Sequence, residues 1–160
     1  MMKIRANNST IFFLPSPIGV LKISLDNHCL TSLEILEKGA DSIQQENQAP
    51  FLQAFLAYFK NPHYRFTLSL ALNVTSFQTR VLQALQTIPV GEVRTYGQLA
   101  DQLNTSPRAI GNACRHNPIP IVIPCHRVIG AVSLGGYCGE IVGEKLSVKQ
   151  WLLRHEGALA

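Results

Sequence analysis

A cysteine followed at once by a histidine and an arginine, Cys125-His126-Arg127, stands after the run P-I-P-I-V-I-P at 118–124. A thiol attacks only as thiolate, so a nucleophilic cysteine needs a base or a positive field beside it, and both residue types follow here. The prolines hold the backbone extended, and the apolar residues between them imply a buried, rigid approach to Cys125. On an extended chain successive side chains point to opposite faces, which favours a water bridging Cys125 and His126 over a direct hydrogen bond. The competing reading keeps Cys125 as a small buried hydrophobe and His126 as a structural hydrogen-bonder.

The other cysteines, Cys29, Cys114 and Cys138, make no C-x-x-C spacing with it, so neither a zinc site nor a thioredoxin-like redox pair is expected. His28 beside Cys29 supplies at most two ligands, and no metal is expected there. Disulfide staples are not expected in a chain of 160 residues, which is long enough to bury a core. Net charge is +4, and between residues 93 and 127 Arg94, Arg108, Arg115 and Arg127 face only Asp101. That suits either a polyanion partner or a solvated basic face.

The elements that must position these groups fall into two parts. With 46% hydrophobic and 15% charged residues the composition is globular, which excludes disorder and collagen-like structure. No stretch reaches the roughly 18 consecutive apolar residues of a membrane span; the longest uncharged run, Phe66–Thr79, is interrupted by polar residues. Lys3 and Arg5 before Ile11–Leu14 imitate a signal peptide, but Pro15 and Pro17 break it and no cleavage site follows, so a cytoplasmic location is expected. Clusters at Ile11–Leu14, Val20–Leu25 and Leu30–Leu36, separated by turn residues, predict a β-meander. Phe51, Leu52, Phe55, Leu56 and Phe59 predict a helix ended by Asn61-Pro62, and Phe66–Leu72 could supply one more strand.

From residue 75 the pattern turns helical. Capping boxes are read at Thr75/Gln78, Thr95/Gln98 and Ser147/Gln150. They predict helices to about Thr87, over Tyr96–Leu103, and through Trp151, Leu152 and Leu153 to Gly157. Ser106-Pro107 opens a further helix, Arg108–His116, closed by Asn117-Pro118. The two short helices meeting across Asn104-Thr105 have helix-turn-helix spacing, a pattern that packed helix pairs also show without nucleic acid. Two domains are expected, residues 1–72 and 73–160.

R-A-I-G-N-A, N-P and I-P-C-H-R-V lie within residues 107–128. Around them stand S-F-Q at 76–78, I-P-x-G-E at 88–92, T-Y-G-Q-L-A at 95–100, S-L-x-G-Y at 133–137 and W-L-L-x-H-E-G at 151–157. In this order and spacing they resemble the O6-alkylguanine-DNA alkyltransferases, the methylated-DNA–protein-cysteine methyltransferases. Residues 10–72 share only the strand–helix–strand layout.

The resemblance implies an α+β fold, with a small ribonuclease-H-like N-terminal sheet domain and a C-terminal helical domain holding a helix-turn-helix. It also implies a monomer, needing no cofactor, that binds double-stranded DNA containing O6-alkylguanine. The base is flipped out and its alkyl group moves irreversibly to Cys125; activity on O4-alkylthymine is left open. Cys125, His126, Glu156 and Asn117 would be catalytic: thiolate, water-mediated base, the carboxylate holding the imidazole, and the brace of the active-site turn. Tyr96, Ser106, Arg108, Arg115 and Arg127 would meet DNA, Arg108 filling the gap left by the flipped base. Tyr96, Cys114, Val128, Tyr137, Cys138 and Gly139 would line the base pocket.

Two thiols depart from the pattern: Cys138 stands where relatives often carry Ser or Ala, and Cys114 falls on the helix position whose side chain borders the base pocket; Glu140–Leu146 is also long for the link into the last helix. Only Cys125 is expected to accept the alkyl group, because the other thiols lack the His–Glu relay. The rival classes are a non-catalytic lesion binder, a helix-turn-helix transcription factor, and a cysteine hydrolase that would turn over repeatedly.

Overall fold

The computed structural model describes residues 9–38, 49–136 and 144–160. The chain separates into two compact units, Met1–Leu72 and Asn73–Ala160.

The first unit holds an antiparallel meander, β1 (Ser9–Ser16), β2 (Gly19–Asp26) and β3 (Cys29–Leu36), in the order β1-β2-β3. Asn27 and His28 join β2 to β3 with φ of 49° and 63°, the paired left-handed conformation of a tight hairpin turn. Phe12, Leu14, Leu21, Ile23 and Leu25 alternate into the core. Leu30 and Leu33 are also buried although three apart, because a register shift opposite Ser24/Leu25 leaves Thr31 as an extra residue. Thr31 Oγ1 donates to Ser24 O at 3.0 Å across that bulge.

Helix α1 (Ala49–Lys60) forms as its apolar spacing predicts, and its Phe55 and Tyr58 pack on Phe66 with ring centroids 5.3 and 5.5 Å away. The strand expected at Phe66–Leu72 is a single parallel bridge, Leu30 to Leu70. Leu30 N donates to Ser69 O and Ala71 N to Leu30 O.

In the second unit, α2 (Ser76–Gln86) and α3 (Tyr96–Leu103) each begin with a complete capping box, Thr75/Gln78 and Thr95/Gln98. Thr95→Ala is expected to cost about 1 kcal/mol, as Thr75→Ala should, read from urea unfolding midpoints. Asn104 ends α3 in the left-handed conformation, φ 53°, and α4 (Pro107–Arg115) follows with Ser106 as N-cap. Short strands β4 (Arg94–Thr95) and β5 (Val128–Ile129) pair in parallel, which sets the start of α3 beside the segment that follows Cys125-His126-Arg127.

Helix α5 (Glu144–His155) begins before the expected capping box. Residues 144–146 are already helical, so Ser147 lies inside the helix rather than capping it. Beyond its end, Gly157 has φ 81° and Ala158 N donates to Leu153 O at 2.8 Å. Among the described residues no helix is long and apolar enough to cross a membrane.

Candidate active site

The approach to Cys125 is not the extended run expected from its prolines. Ile123 N donates to Ile119 O at 3.0 Å, and Ile121, 2% exposed, has φ 75°. Such a conformation is costly for a β-branched residue and persists only where its surroundings impose it. Asn117 is one such constraint: its Nδ2 donates to Ile123 O at 2.8 Å and its Oδ1 accepts from Ile119 N at 3.0 Å. Cys125 N also donates to Ile123 O, so a single carbonyl joins the Asn117 side chain to the backbone of the thiol.

Cys125–Arg127 form a 3-10 turn, with Cys125 5%, His126 0% and Arg127 9% exposed. His126 Nε2 lies 2.9 Å from Glu156 Oε1. Arg127 Nε donates to Glu156 Oε2 and Nη2 to Oε1, each at 2.9 Å, while Nη1 donates to Ile88 O at 2.6 Å. This corrects the reading of Arg127 as a DNA contact. Its guanidinium is buried and committed to Glu156 and to the backbone after α2, so it braces the carboxylate.

Burial opposes ionisation of Glu156, but the hydrogen bonds and charge of His126 and Arg127 prevail and bring its pKa down to about 2. An ionised carboxylate only accepts, so His126 Nε2 carries a proton. Burial lowers the His126 pKa; Glu156 works against that, while Arg127 and Lys149 add to it. The ring is therefore neutral at pH 7, and Nδ1 presents a lone pair. Nδ1 is buried with no hydrogen-bond partner among the described protein atoms, so the site holds a base aimed away from its carboxylate, one residue from a buried thiol.

Tyr96, the first residue of α3, is half-buried. A Cβ on Gly135 would stand 2.8 Å from Tyr96 Cε2, and one on Gly111 would stand 3.9 Å from Cε1, so the ring lies between two glycine backbones. Burial first, then the charges that Cys114 and Cys125 would carry, push the Tyr96 pKa up to about 12, so its hydroxyl stays protonated. Cys114, buried on α4, is likewise pushed up to about 12 by burial, despite the opposing charge of Lys149.

Ser106 Oγ accepts from Ala109 N at 3.2 Å. Arg108 and Arg115 are exposed at opposite ends of α4, seven residues apart and so on one face. Val128 is fully buried in β5. Tyr137, Cys138 and Gly139 lie outside the described residues, as do residues 140–143 of the expected long link. Among the described residues no cluster of three or more His, Cys, Asp and Glu could hold a metal ion.

Sequence reasoning missed Lys149. It sits on the apolar stripe of α5 with Leu152 and Leu153, in line with Glu156 just past the helix end, and a lysine in that stripe was the signal available.

Residues 76–158 match the family described as 6-O-methylguanine DNA methyltransferase, DNA binding domain. The chain belongs to the 6-O-methylguanine DNA methyltransferase family. The methylated-DNA–protein-cysteine methyltransferase of Mycolicibacterium paratuberculosis is 41% identical over 150 residues, covering 88% of each chain. That of Archaeoglobus fulgidus is 46% identical over 103 residues, 62% of this chain and 69% of the relative. Among solved structures, Mycobacterium tuberculosis OGT in complex with DNA superposes with a TM-score of 0.78 at 39% identity, covering 91% of each chain. The mixed architecture of a small antiparallel sheet plus helices is shared with these family structures.

Proposed function

We propose that this protein repairs O6-alkylguanine in duplex DNA by direct reversal, moving the alkyl group irreversibly onto Cys125 Sγ. The observation that carries the reading is the buried lone pair at His126 Nδ1, with Nε2 fixed on an ionised Glu156, one residue from a buried thiol. Relatives named methylated-DNA–protein-cysteine methyltransferase supply the reaction class.

His126 Nδ1 takes the thiol proton through a water, and Glu156 stabilises the imidazolium that forms. The thiolate attacks the alkyl carbon from the side opposite O6. The S–C bond forms as the C–O6 bond breaks, and its electron pair leaves with the guanine. Tyr96, kept protonated, donates a hydrogen bond to the base as negative charge grows on it. The product is a thioether that the site has no means to cleave, so each chain reacts once.

In the same reading α3 and α4 act as a helix-turn-helix with Arg108 leading α4 into the groove, where it fills the gap left by the extruded base. Arg115 and Ser106 contact phosphate. The Asn73–Ala160 unit carries both DNA binding and the acceptor, the first unit adopts a ribonuclease-H-like layout, and the protein works in the cytoplasm. Arg115→Ala is expected to weaken binding alike on all sequences and to reduce the slope of log affinity against log salt by about 1. Fluorescence titrations at several salt concentrations read this, and an unchanged slope would remove Arg115 from the interface.

The deciding experiment incubates the protein with excess duplex containing O6-methylguanine, followed by intact and peptide mass spectrometry. One methylene unit per chain is expected, on Cys125, and none in Cys125→Ala. Repeated turnover would make the protein a hydrolase, and tight lesion binding without mass gain would make it a sensor. Methyl on Cys114 or Cys138 would overturn the choice of acceptor.

A further inference from the structure

Lys149 is fully buried, and among the described residues its Nζ donates to three backbone carbonyls: Val128 O at 2.6 Å, Leu134 O at 2.6 Å and Gly136 O at 2.9 Å. All three acceptors belong to the stretch that leaves the Cys125–Arg127 turn and passes the Tyr96 ring at Gly135. The same ammonium stands 5.9 Å from the Tyr96 ring centroid. Burying an ammonium is expensive unless strong acceptors surround it, and a straight segment presents its carbonyls in diverging directions. A turn folded around one cation meets both conditions at once.

Seven residues on, just past the end of α5 and in line with the same stripe, Glu156 holds His126 and Arg127. The helix and the residue that follows it therefore grip the segment 125–136 at two points. Glu156 takes the proton-handling turn at its start, and Lys149 takes the backbone that walls Tyr96 farther on.

We propose that Lys149 is a positioning residue for alkyl transfer: its ammonium pins the Val128–Gly136 backbone to α5, fixing Tyr96 and the pocket wall relative to Cys125. This rests on the function proposed above. Lys149 is buried, so it acts without touching phosphate, and its loss reaches the reaction through geometry. A displacement of about 1 Å at such a site costs on the order of 100-fold in rate.

The test compares wild type with Lys149→Met, which keeps the length of the chain and removes the donor. Four readouts are taken on the full-length protein: duplex affinity, the methyl-transfer rate at saturating DNA, labelling of Cys125 by iodoacetamide, and amide hydrogen exchange over residues 128–136. The expected result is a transfer rate down roughly 10- to 100-fold, with duplex affinity and iodoacetamide labelling within about twofold of wild type and exchange faster over 128–136. A wild-type transfer rate would overturn the proposal. So would a loss of duplex affinity in folded protein in proportion to the loss of rate, because the lysine would then serve the fold as a whole.

If Lys149→Met does not fold, Lys149→Gln restores a neutral donor. Its exchange and rate should fall between wild type and total loss, and full wild-type values for both would refute the pin. Should wild type itself transfer no methyl group, the proposed function fails. The exchange comparison still decides whether Lys149 holds this backbone.

Discussion

Glu156→Gln is expected to slow methyl transfer by roughly 10²- to 10⁴-fold, the range that positioned proton transfer contributes, and to destabilise the fold by about 3–5 kcal/mol. The rate effect follows from the relay. Glutamine can still accept from His126 Nε2, but it carries no charge to stabilise the imidazolium formed when Nδ1 takes the thiol proton. The stability effect comes from the other side of the carboxylate, where two donors of the Arg127 guanidinium would lose their ionic partner inside a buried site. Single-turnover transfer and urea unfolding measure the two effects separately. A transfer rate within threefold of wild type would remove Glu156 from the relay.

The same carboxylate sets an acid limb. Its folded pKa of about 2 lies below the ordinary 4.5, so its stabilisation is fully present above 4.5 and is lost as pH falls towards 2. His126 acts in the same direction at higher pH. Its folded pKa is lowered from 6.5, so the unfolded chain gains a proton first and stability declines as pH drops below about 6.5. Thermal melts from pH 7 to pH 3 should fall throughout, and Glu156→Gln should flatten the part below 4.5.

Gly135→Ala is the second large expected effect, with transfer reduced roughly 10- to 100-fold. The added Cβ would stand 2.8 Å from Tyr96 Cε2 and 3.1 Å from its hydroxyl oxygen, and φ is 71°, where a side chain is strained. Either the ring moves or the backbone does, and both displace the hydroxyl that the proposed mechanism offers to the base. Overpacking of this kind costs about 1–3 kcal/mol in stability as well. Gly111→Ala is the control on the opposite face of the ring. Its Cβ would lie 3.9 Å from Tyr96 Cε1, an ordinary contact, and alanine in a helix gains about 0.5–1 kcal/mol over glycine. Stability should rise slightly and transfer should stay near wild type. Equal losses in both variants would show that Tyr96 placement is not what limits the reaction.

Local chemistry and local structure are legible in the residues alone. Thr75/Gln78 and Thr95/Gln98 state helix starts within four residues, and alternation over Val20–Leu25 states a half-buried strand, because capping and pleating depend on near neighbours. Family order in the motifs from Ser76 to Gly157 pointed to Cys125, His126 and Glu156 together. Ser147/Gln150 misled because a capping box read alone cannot reveal that residues 144–146 are already helical.

Long-range partners emerge only when the chain has folded. Arg127 reads as a basic residue free for phosphate until Glu156, 29 positions away, takes two of its donors and Ile88 O a third. Lys149 reads as an ordinary helix lysine until the turn Val128–Gly136 folds its carbonyls around it. Ile121 takes a left-handed backbone that its own side chain disfavours, held where Asn117 ties the neighbouring backbone. In each case a buried charge or a strained torsion is tolerable only because distant groups compensate it, and those distances exist only once the chain has closed on itself.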